Sequence, residues 1–411
     1  MSIKTLSFGC RLNALEAEKI KNMLAPAIDT AVVVNTCAVT AEAERQSGQA
    51  VRRIARENPN APIFVTGCAV TRNPALFQDI ENTLIVDNFN KRNPNAYIEQ
   101  YARGACHIKN PSIDNFHQEN AQLSKQFIQI QNGCNHDCTY CVTRLLRGRG
   151  VSFDYQEILA DAQNAVKNGF GEIVLTGVDL ASYVRVYDGK PFLISDLCKK
   201  LLQDVPEIKR LRLSSVDPAV PDVANIIELI KQDRRMMPHL HFSMQSGSDT
   251  ILKLMRRRHT AQRVRDLVNQ ADGQITFSWD IICGFPGETE ELFNETVQLA
   301  RETRPIKIHA FPFSPRPGTV AESMPMQINR NISKQRVRII TDIANANRRE
   351  FMRSKIRQPV QVLVEENNIA RCPHDISVKI DGPAMPARTI CDVELVDIVG
   401  DVYMGKILAK Q

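Results

Sequence analysis

No hydrophobic run in the chain reaches transmembrane length, which excludes a helical membrane span. The N-terminus, MSIKTLSFGCRLN, lacks the apolar core of a secretory signal, so none is expected. Internal repeats and low-complexity segments are also missing, which sets aside solenoids and biased tails. Excess charge is small: Lys+Arg 52 against Asp+Glu 46 gives a formal +6, which permits an RNA or another anionic partner without demanding one. What is present is ordinary globular material, with 411 residues and 43% hydrophobic content, enough for two to four domains.

One further scarcity is local. The run GCNHDCTYC holds Cys134, Cys138 and Cys141 in a CxxxCxxC spacing with no fourth cysteine. Thiolates are soft ligands that select zinc, copper(I) or iron–sulfur clusters. A closed zinc site needs four ligands, usually as two CxxC pairs. His136 as the fourth is the zinc alternative, and its place between the cysteines fits that spacing poorly. A cubane cluster fixed through three irons leaves one iron open to chelate a small molecule through nitrogen and oxygen. That is the requirement for reductive cleavage of S-adenosylmethionine. With Tyr140 just before the last cysteine, the run resembles the radical SAM superfamily. The chain has eleven cysteines, an odd number, and in the cytoplasmic protein expected here such patterns favour metal binding or catalysis over disulfides. Cys106, Cys198, Cys283, Cys372 and Cys391 show no ligand spacing and read as packing residues.

Residues 1–87 alternate short β-rich runs (IKTLS, AVVVN, PIFVT, TLIV) with helical patterns beginning near Asn13, Thr40 and Asn73, residue types that cap a first turn. The alternation implies a parallel sheet, flavodoxin-like in outline. Residues 88–124 are rich in Asn, Pro, Gln and His and read as a linker. Alternation resumes over 125–355, with strands FIQIQ, EIVLT, LRLSS, HLHFS, ITFSWDII and KIHAF. Helical patterns include Tyr155–Asn168, Pro221–Lys231 and Glu290–Arg304, and a basic amphipathic helix from Ser333 to Arg353 closes the region. Six βα units fall short of an eight-fold barrel and fit an open, partial (β/α)6 barrel. In 356–411 the runs VQVLVEE, ISVKI, VELVDI and YMGKIL, joined by Pro, Gly and Asp turns, suggest a small β-barrel.

Cys10, Cys37 and Cys68 each lie one to three residues past one of the first three strands. Ligands of open parallel sheets bind outside the carboxyl ends of the strands, so these cysteines can converge although about 30 residues apart. Gly9 and Gly67 precede two of them and would let backbone approach a bulky cofactor. Three cysteines in register, in a chain that already carries a cluster motif, point to a second iron–sulfur site.

With both triads placed, the chain resembles the methylthiotransferases of the radical SAM superfamily over nearly its whole length. FGCRLN, NTCAVT and TGCA match the family's N-terminal domain; GCNHDCTYC, LTGVDL, RLSSVDP, HFSMQSGSD, IICGFPGET and FPFSPRPGT match its radical SAM core. The C-terminal barrel sits where the family carries a TRAM domain, a small RNA-binding module, although this segment is short of the glycines expected there. NTCAVT, the short spacing from Cys10 to Cys37 and RRRHT are most similar to the branch acting on N6-threonylcarbamoyladenosine in tRNA. Other branches act on isopentenyladenosine in tRNA or on a ribosomal protein aspartate. VTRLLRGRG after Cys141 departs from the family by lacking a proline turn.

The resemblance implies two 4Fe-4S clusters and S-adenosylmethionine as cofactors, with tRNA as substrate and an electron donor such as flavodoxin or ferredoxin. Cys134, Cys138 and Cys141 would hold the cluster that binds S-adenosylmethionine; Cys10, Cys37 and Cys68 would hold the cluster that delivers sulfur. A second S-adenosylmethionine would supply the methyl group. Strand-end residues Thr176, Gly177, Ser214, Ser215, Asp217, Gln245, Ser246 and Gly284 are the candidate S-adenosylmethionine contacts, Gly284 by letting adenine lie close to backbone. Arg144, Arg147 and Arg149 after the cluster loop, and Arg256, Arg257 and Arg258 near QSGSD, are the candidate tRNA contacts. A rival of another class is a zinc-stabilised RNA-binding protein with both triads structural.

Overall fold

The computed structural model describes residues 2–104, 108, 111–113 and 124–408. They form two compact units, the first comprising the N-terminal region with Gly133–Gly150 and Arg316–Thr319, the second most of the remainder.

In the first unit, β1 (Ser2–Ser7), β2 (Thr30–Thr36), β3 (Ile63–Gly67) and β4 (Thr83–Ile85) form a wholly parallel sheet. The strand order is β1-β2-β3-β4, without the reversal found in flavodoxin-type sheets. β2 and β3 read as apolar runs because both their faces are covered. Ala31, Val33 and Phe64 pack under α1 (Arg11–Leu24) through Ile20 and Leu24. Val32, Val34, Ile63 and Val65 pack under α2 (Ala41–Glu57) through Val51 and Ile54. Short helices α3 (Cys68–Arg72) and α4 (Ala75–Gln78) follow β3.

The Thr40 hydroxyl caps α2 by accepting from Ala43 N at 3.1 Å. Neither Asn13 nor Asn73 caps its helix: Cys10 occupies the α1 cap position and Pro74 that of α4. The linker expectation for 88–124 is also amended, since α5 (Pro94–Gly104) lies within it. Tyr97 is its one fully buried residue, edge-on to Phe64 with ring centroids 5.3 Å apart. A helix with so narrow a buried stripe leaves almost no periodicity to read. Most of that stretch beyond Gly104, with Cys106, lies outside the described residues.

The second unit contains six consecutive parallel strands: Lys125–Gln129, Glu172–Thr176, Leu211–Leu213 continued by Ser215–Val216, His239–Gln245, Thr276–Cys283 and Lys307–Pro312. The third strand breaks at Ser214; its first half pairs with Glu172–Thr176 and its second with His239–Gln245. Helices Tyr155–Lys167, Val223–Gln232 and Glu290–Thr303 stand within two residues of their expected bounds, and Arg330–Ser354 closes the layer. Leu240, Phe242, Met244, Phe277 and Trp279 form the outward core beneath these helices. The partial six-fold barrel is therefore present. The last five strands, Pro359–Glu366, Ile369–Arg371, Ser377–Asp381, Ile390–Val399 and Val402–Ile407, close into a small β-barrel.

Buried charges staple that barrel to the amino ends of the parallel strands. Glu172 accepts from Arg212 Nε at 2.7 Å and pairs with Arg210 Nε at 2.9 Å. The same arginines donate to Pro373 O (2.9 Å) and Arg371 O (3.1 Å), and Lys125 meets Asp375 at 3.3 Å. Burial alone would raise the Glu172 carboxyl, but Arg212, Lys125 and Arg210 hold it at about 2. Among the described residues, no helix is long and apolar enough to cross a membrane.

Candidate cluster sites and barrel mouth

Parallel pairing sets Ser7 level with Asn35 and Thr36 level with Gly67, so the chain leaves β1, β2 and β3 at one edge of the sheet. Cys10, Cys37 and Cys68 stand there, Cys10 exposed and the other two buried, and none is in a disulfide. Gly9 has φ +83°, and a Cβ on it would collide with the Cys37 side chain. Gly67 has φ +104°, and a Cβ there would run into the Thr36 backbone. These glycines thus let the cysteine-bearing loops close on one another; the approach they permit is of chain to chain. Burial pushes the Cys37 thiol up to about 11, and the neighbouring Cys68 and Cys10 thiolates add to it. Three free thiols at one edge of the sheet, one of them exposed, suit a soft metal centre with an open side.

The loop Gly133–Gly150 belongs to the same unit. Cys134 N donates to Gly148 O (3.1 Å), Cys141 N to Cys138 O (3.0 Å), and Gly150 N to Asn135 Oδ1 (3.0 Å). His136 N donates to Cys134 Sγ and Thr143 N to Cys141 Sγ, both at 3.4 Å. Amide donors to sulfur stabilise metal-bound thiolates and tune their clusters. From α6 (Thr143–Arg147), Leu146, with the preceding Val142, enters the core of Val65, Cys68, Ala69 and Val70.

Arg147 corrects the sequence reading. Expected at a tRNA phosphate, its side chain is 5% exposed and paired with Glu16 at 2.8 Å. Glu16 takes Lys91 at 2.6 Å on its other oxygen. Burial alone would raise Glu16, yet Lys91 and Arg147 hold it at about 2. Arg144 and Arg149 are exposed.

In the second unit, Thr176, Ser214, Gln245 and Gly284 mark the carboxyl ends of consecutive strands. Gly177 follows Thr176, in a loop pinned by Gln131 Oε1, which accepts from Val178 N (3.0 Å) and Asp179 N (2.8 Å). Ser215 opens the second half of the third strand and is half-buried. Gln245 holds φ +71°, a left-handed conformation uncommon for a side-chain-bearing residue and frequent at functional sites. Ser246 is buried beside Thr296 Oγ1 at 3.4 Å. Two expectations change here. At Gly284 (φ +76°) the place of a Cβ is taken by Ser333 of the closing helix, so this glycine serves helix packing. Asp217 is buried and paired with Arg257 (3.2 Å) and Arg258 (2.9 Å), so an anticipated cofactor contact and two anticipated tRNA contacts neutralise one another. Arg257 is buried in that pair, Arg258 half-exposed and Arg256 exposed.

Sequence reasoning missed the inward faces of the strands. His241 Nε2 lies 3.0 Å from Asp280 Oδ2, its Nδ1 2.7 Å from Ser278 Oγ, and its ring 5.5 Å from that of His309. Alternation in HLHFSMQ and TFSWDIIC, polar on one face and apolar on the other, carried that signal.

Residues 128–300 match the radical SAM superfamily, and residues 2–87 match a family described as Uncharacterized protein family UPF0004. The threonylcarbamoyladenosine tRNA methylthiotransferase MtaB of Rickettsia prowazekii (strain Madrid E) is 39% identical over 392 residues, spanning 92% of this chain and 90% of that protein. MtaB of Chlamydia pneumoniae is 32% identical, spanning 89% and 87%. The tRNA-2-methylthio-N(6)-dimethylallyladenosine synthase of Ehrlichia chaffeensis (strain ATCC CRL-10679 / Arkansas) is 30% identical, spanning 87% and 86%. Among solved structures, the radical S-adenosylmethionine methyltransferase TsrM of Kitasatospora setae aligns with TM-score 0.55 at 14% identity, covering 76% of this chain and 69% of that one, a likeness of fold. Identity of this extent, joined to the two triads and the three-part architecture, means that the chain belongs to the radical SAM methylthiotransferase family, in its MtaB-type branch.

Proposed function

We propose that this chain inserts a sulfur atom and a methyl group at C2 of N6-threonylcarbamoyladenosine at position 37 of tRNA. The observation that carries the reading is the seating of two cysteine triads, each short of a fourth thiolate, in one compact unit. The superfamily implies S-adenosylmethionine and a 4Fe-4S cluster, for which Cys134, Cys138 and Cys141 are the thiolates. Cys10, Cys37 and Cys68 take a second cluster in this reading. When bound, the two supply what side chains lack: one-electron reduction of a sulfonium and a transferable sulfur.

The chain's own residues do the rest. Thr176, Gly177, Ser214, Ser215, Gln245 and Ser246, at the strand ends, bind and orient S-adenosylmethionine. The exposed Arg144, Arg149 and Arg256 meet tRNA phosphates as positive charges in water. A reduced flavodoxin or ferredoxin donates electrons, and the reaction belongs to the cytoplasm, where its tRNA substrate is.

Nucleoside analysis of tRNA from a deletion strain tests the reading. Loss of the 2-methylthio derivative of threonylcarbamoyladenosine is expected, with restoration by the intact gene. Its retention overturns the assignment, and loss of the methylthio derivative of isopentenyladenosine instead points to the other tRNA branch.

A further inference from the structure

Beneath Cys10, Cys37 and Cys68 lie two buried cations and one carboxylate. Lys91 Nζ stands 2.6 Å from Glu16 Oε2 and Arg147 Nη1 2.8 Å from Glu16 Oε1, with all three side chains no more than 8% exposed. Glu16 thus carries an ion pair to each cation. Its hydrogen bonds lead to the cysteines. Arg147 Nη2 donates to Asn13 Oδ1 (2.6 Å), and Asn13 Nδ2 donates to Phe8 O (2.8 Å) and Thr36 O (3.1 Å), carbonyls just ahead of Cys10 and Cys37. Lys91 Nζ donates to Asn88 Oδ1 (3.0 Å), and Asn88 Nδ2 donates to Cys68 Sγ (3.4 Å). Cys10 and Cys68 both lie within electrostatic reach of Arg147, and Cys68 within reach of Lys91.

We propose that Arg147 and Lys91 are positioning residues for the cluster on Cys10, Cys37 and Cys68, their positive charge offsetting that of the three-thiolate site and raising its reduction potential. The proposal rests on the two-cluster reading. Three thiolates outweigh the charge of an oxidised cubane core, so the loaded site is anionic, and reduction adds one more electron beside the buried cations. Arg147 stands six residues after Cys141. The loop bearing one triad therefore supplies the counter-charge of the other, and docking of that loop completes the sulfur-donating site.

The test uses the full chain with Cys134→Ala, Cys138→Ala and Cys141→Ala, so that one cluster alone forms on anaerobic reconstitution. Iron and sulfide are counted, and the midpoint potential is titrated by electron paramagnetic resonance. Arg147→Gln removes a cation and is expected to disfavour reduction at least tenfold, about 59 mV for a one-electron couple. Glu16→Gln removes the anion and is expected to shift the midpoint the opposite way, while Arg147→Lys holds it near the parent value. A merely structural effect would move both Gln variants together. Should Arg147→Gln fail to retain iron, the upward shift of Glu16→Gln still decides. Unchanged midpoints, or shifts of one sign, overturn the proposal in a parent that binds about four irons. A parent that binds none overturns the two-cluster reading, and the proposal with it.

Discussion

The guanidinium of Arg147 lies 2.8 Å from the carboxylate of Glu16, 131 residues away in the chain. This contact pins the turn after one cysteine triad to the helix that follows the first cysteine of the other. Arg147→Met leaves Glu16 buried and held by Lys91 alone. Unfolding of the metal-free protein in urea is expected to show a loss on the order of 3 kcal/mol, as for removing one partner of a buried ion pair.

Acid should act through two carboxylates. Glu16 and Glu172 are both held at about 2, against an ordinary 4.5. Because the folded-state values lie below those of the unfolded chain, the stabilisation is complete above pH 4.5 and drains away as pH falls toward 2. Each group contributes on the order of 3 kcal/mol. Thermal unfolding followed by circular dichroism should fall steeply across that window. Glu172→Gln should start less stable and show the shallower decline; an equally steep decline in that variant would count against the assignment.

Gly284→Ala forces a Cβ toward Ser333 and places alanine at φ +76°. The expected loss is about 2–4 kcal/mol, read from the denaturation midpoint. Adding Ser333→Gly should restore part of it by clearing the collision while leaving the backbone strain. Were Gly284 a contact surface for adenine alone, the second substitution would restore nothing.

The arginines divide into two classes. Replacing Arg144, Arg149 or Arg256 by Ala should weaken tRNA binding and lower the slope of log affinity against log salt by about one for each phosphate no longer neutralised. Arg257→Ala should instead lower stability, because Asp217 would remain buried after losing one of its two arginine partners. Filter binding across a salt series, run beside a melting curve, separates the two effects.

The fold was largely legible because strand and helix alternation is a local signal: six barrel strands and four long helices stand within a few residues of their expected places. The cysteine edge was legible for the same reason, since Cys10, Cys37 and Cys68 each follow a strand. Burial of charge was not. Nothing in VTRLLRGRG tells Arg144, which faces water, from Arg147, whose partner Glu16 lies in another helix. Asp217 likewise reads as a ligand contact until the fold brings Arg257 to it. Gly284 shows the same limit, because a glycine needed by a ligand and one needed by Ser333 look alike in sequence.

The most direct measurement is Mössbauer spectroscopy, with iron and sulfide counts, on protein prepared without oxygen. About eight irons and eight sulfides per chain are expected, as two cubane clusters, falling to about four when either Cys10, Cys37 and Cys68 or Cys134, Cys138 and Cys141 are replaced by alanine. Eight irons that persist after replacement of the first triad, or zinc in place of iron, would contradict the account.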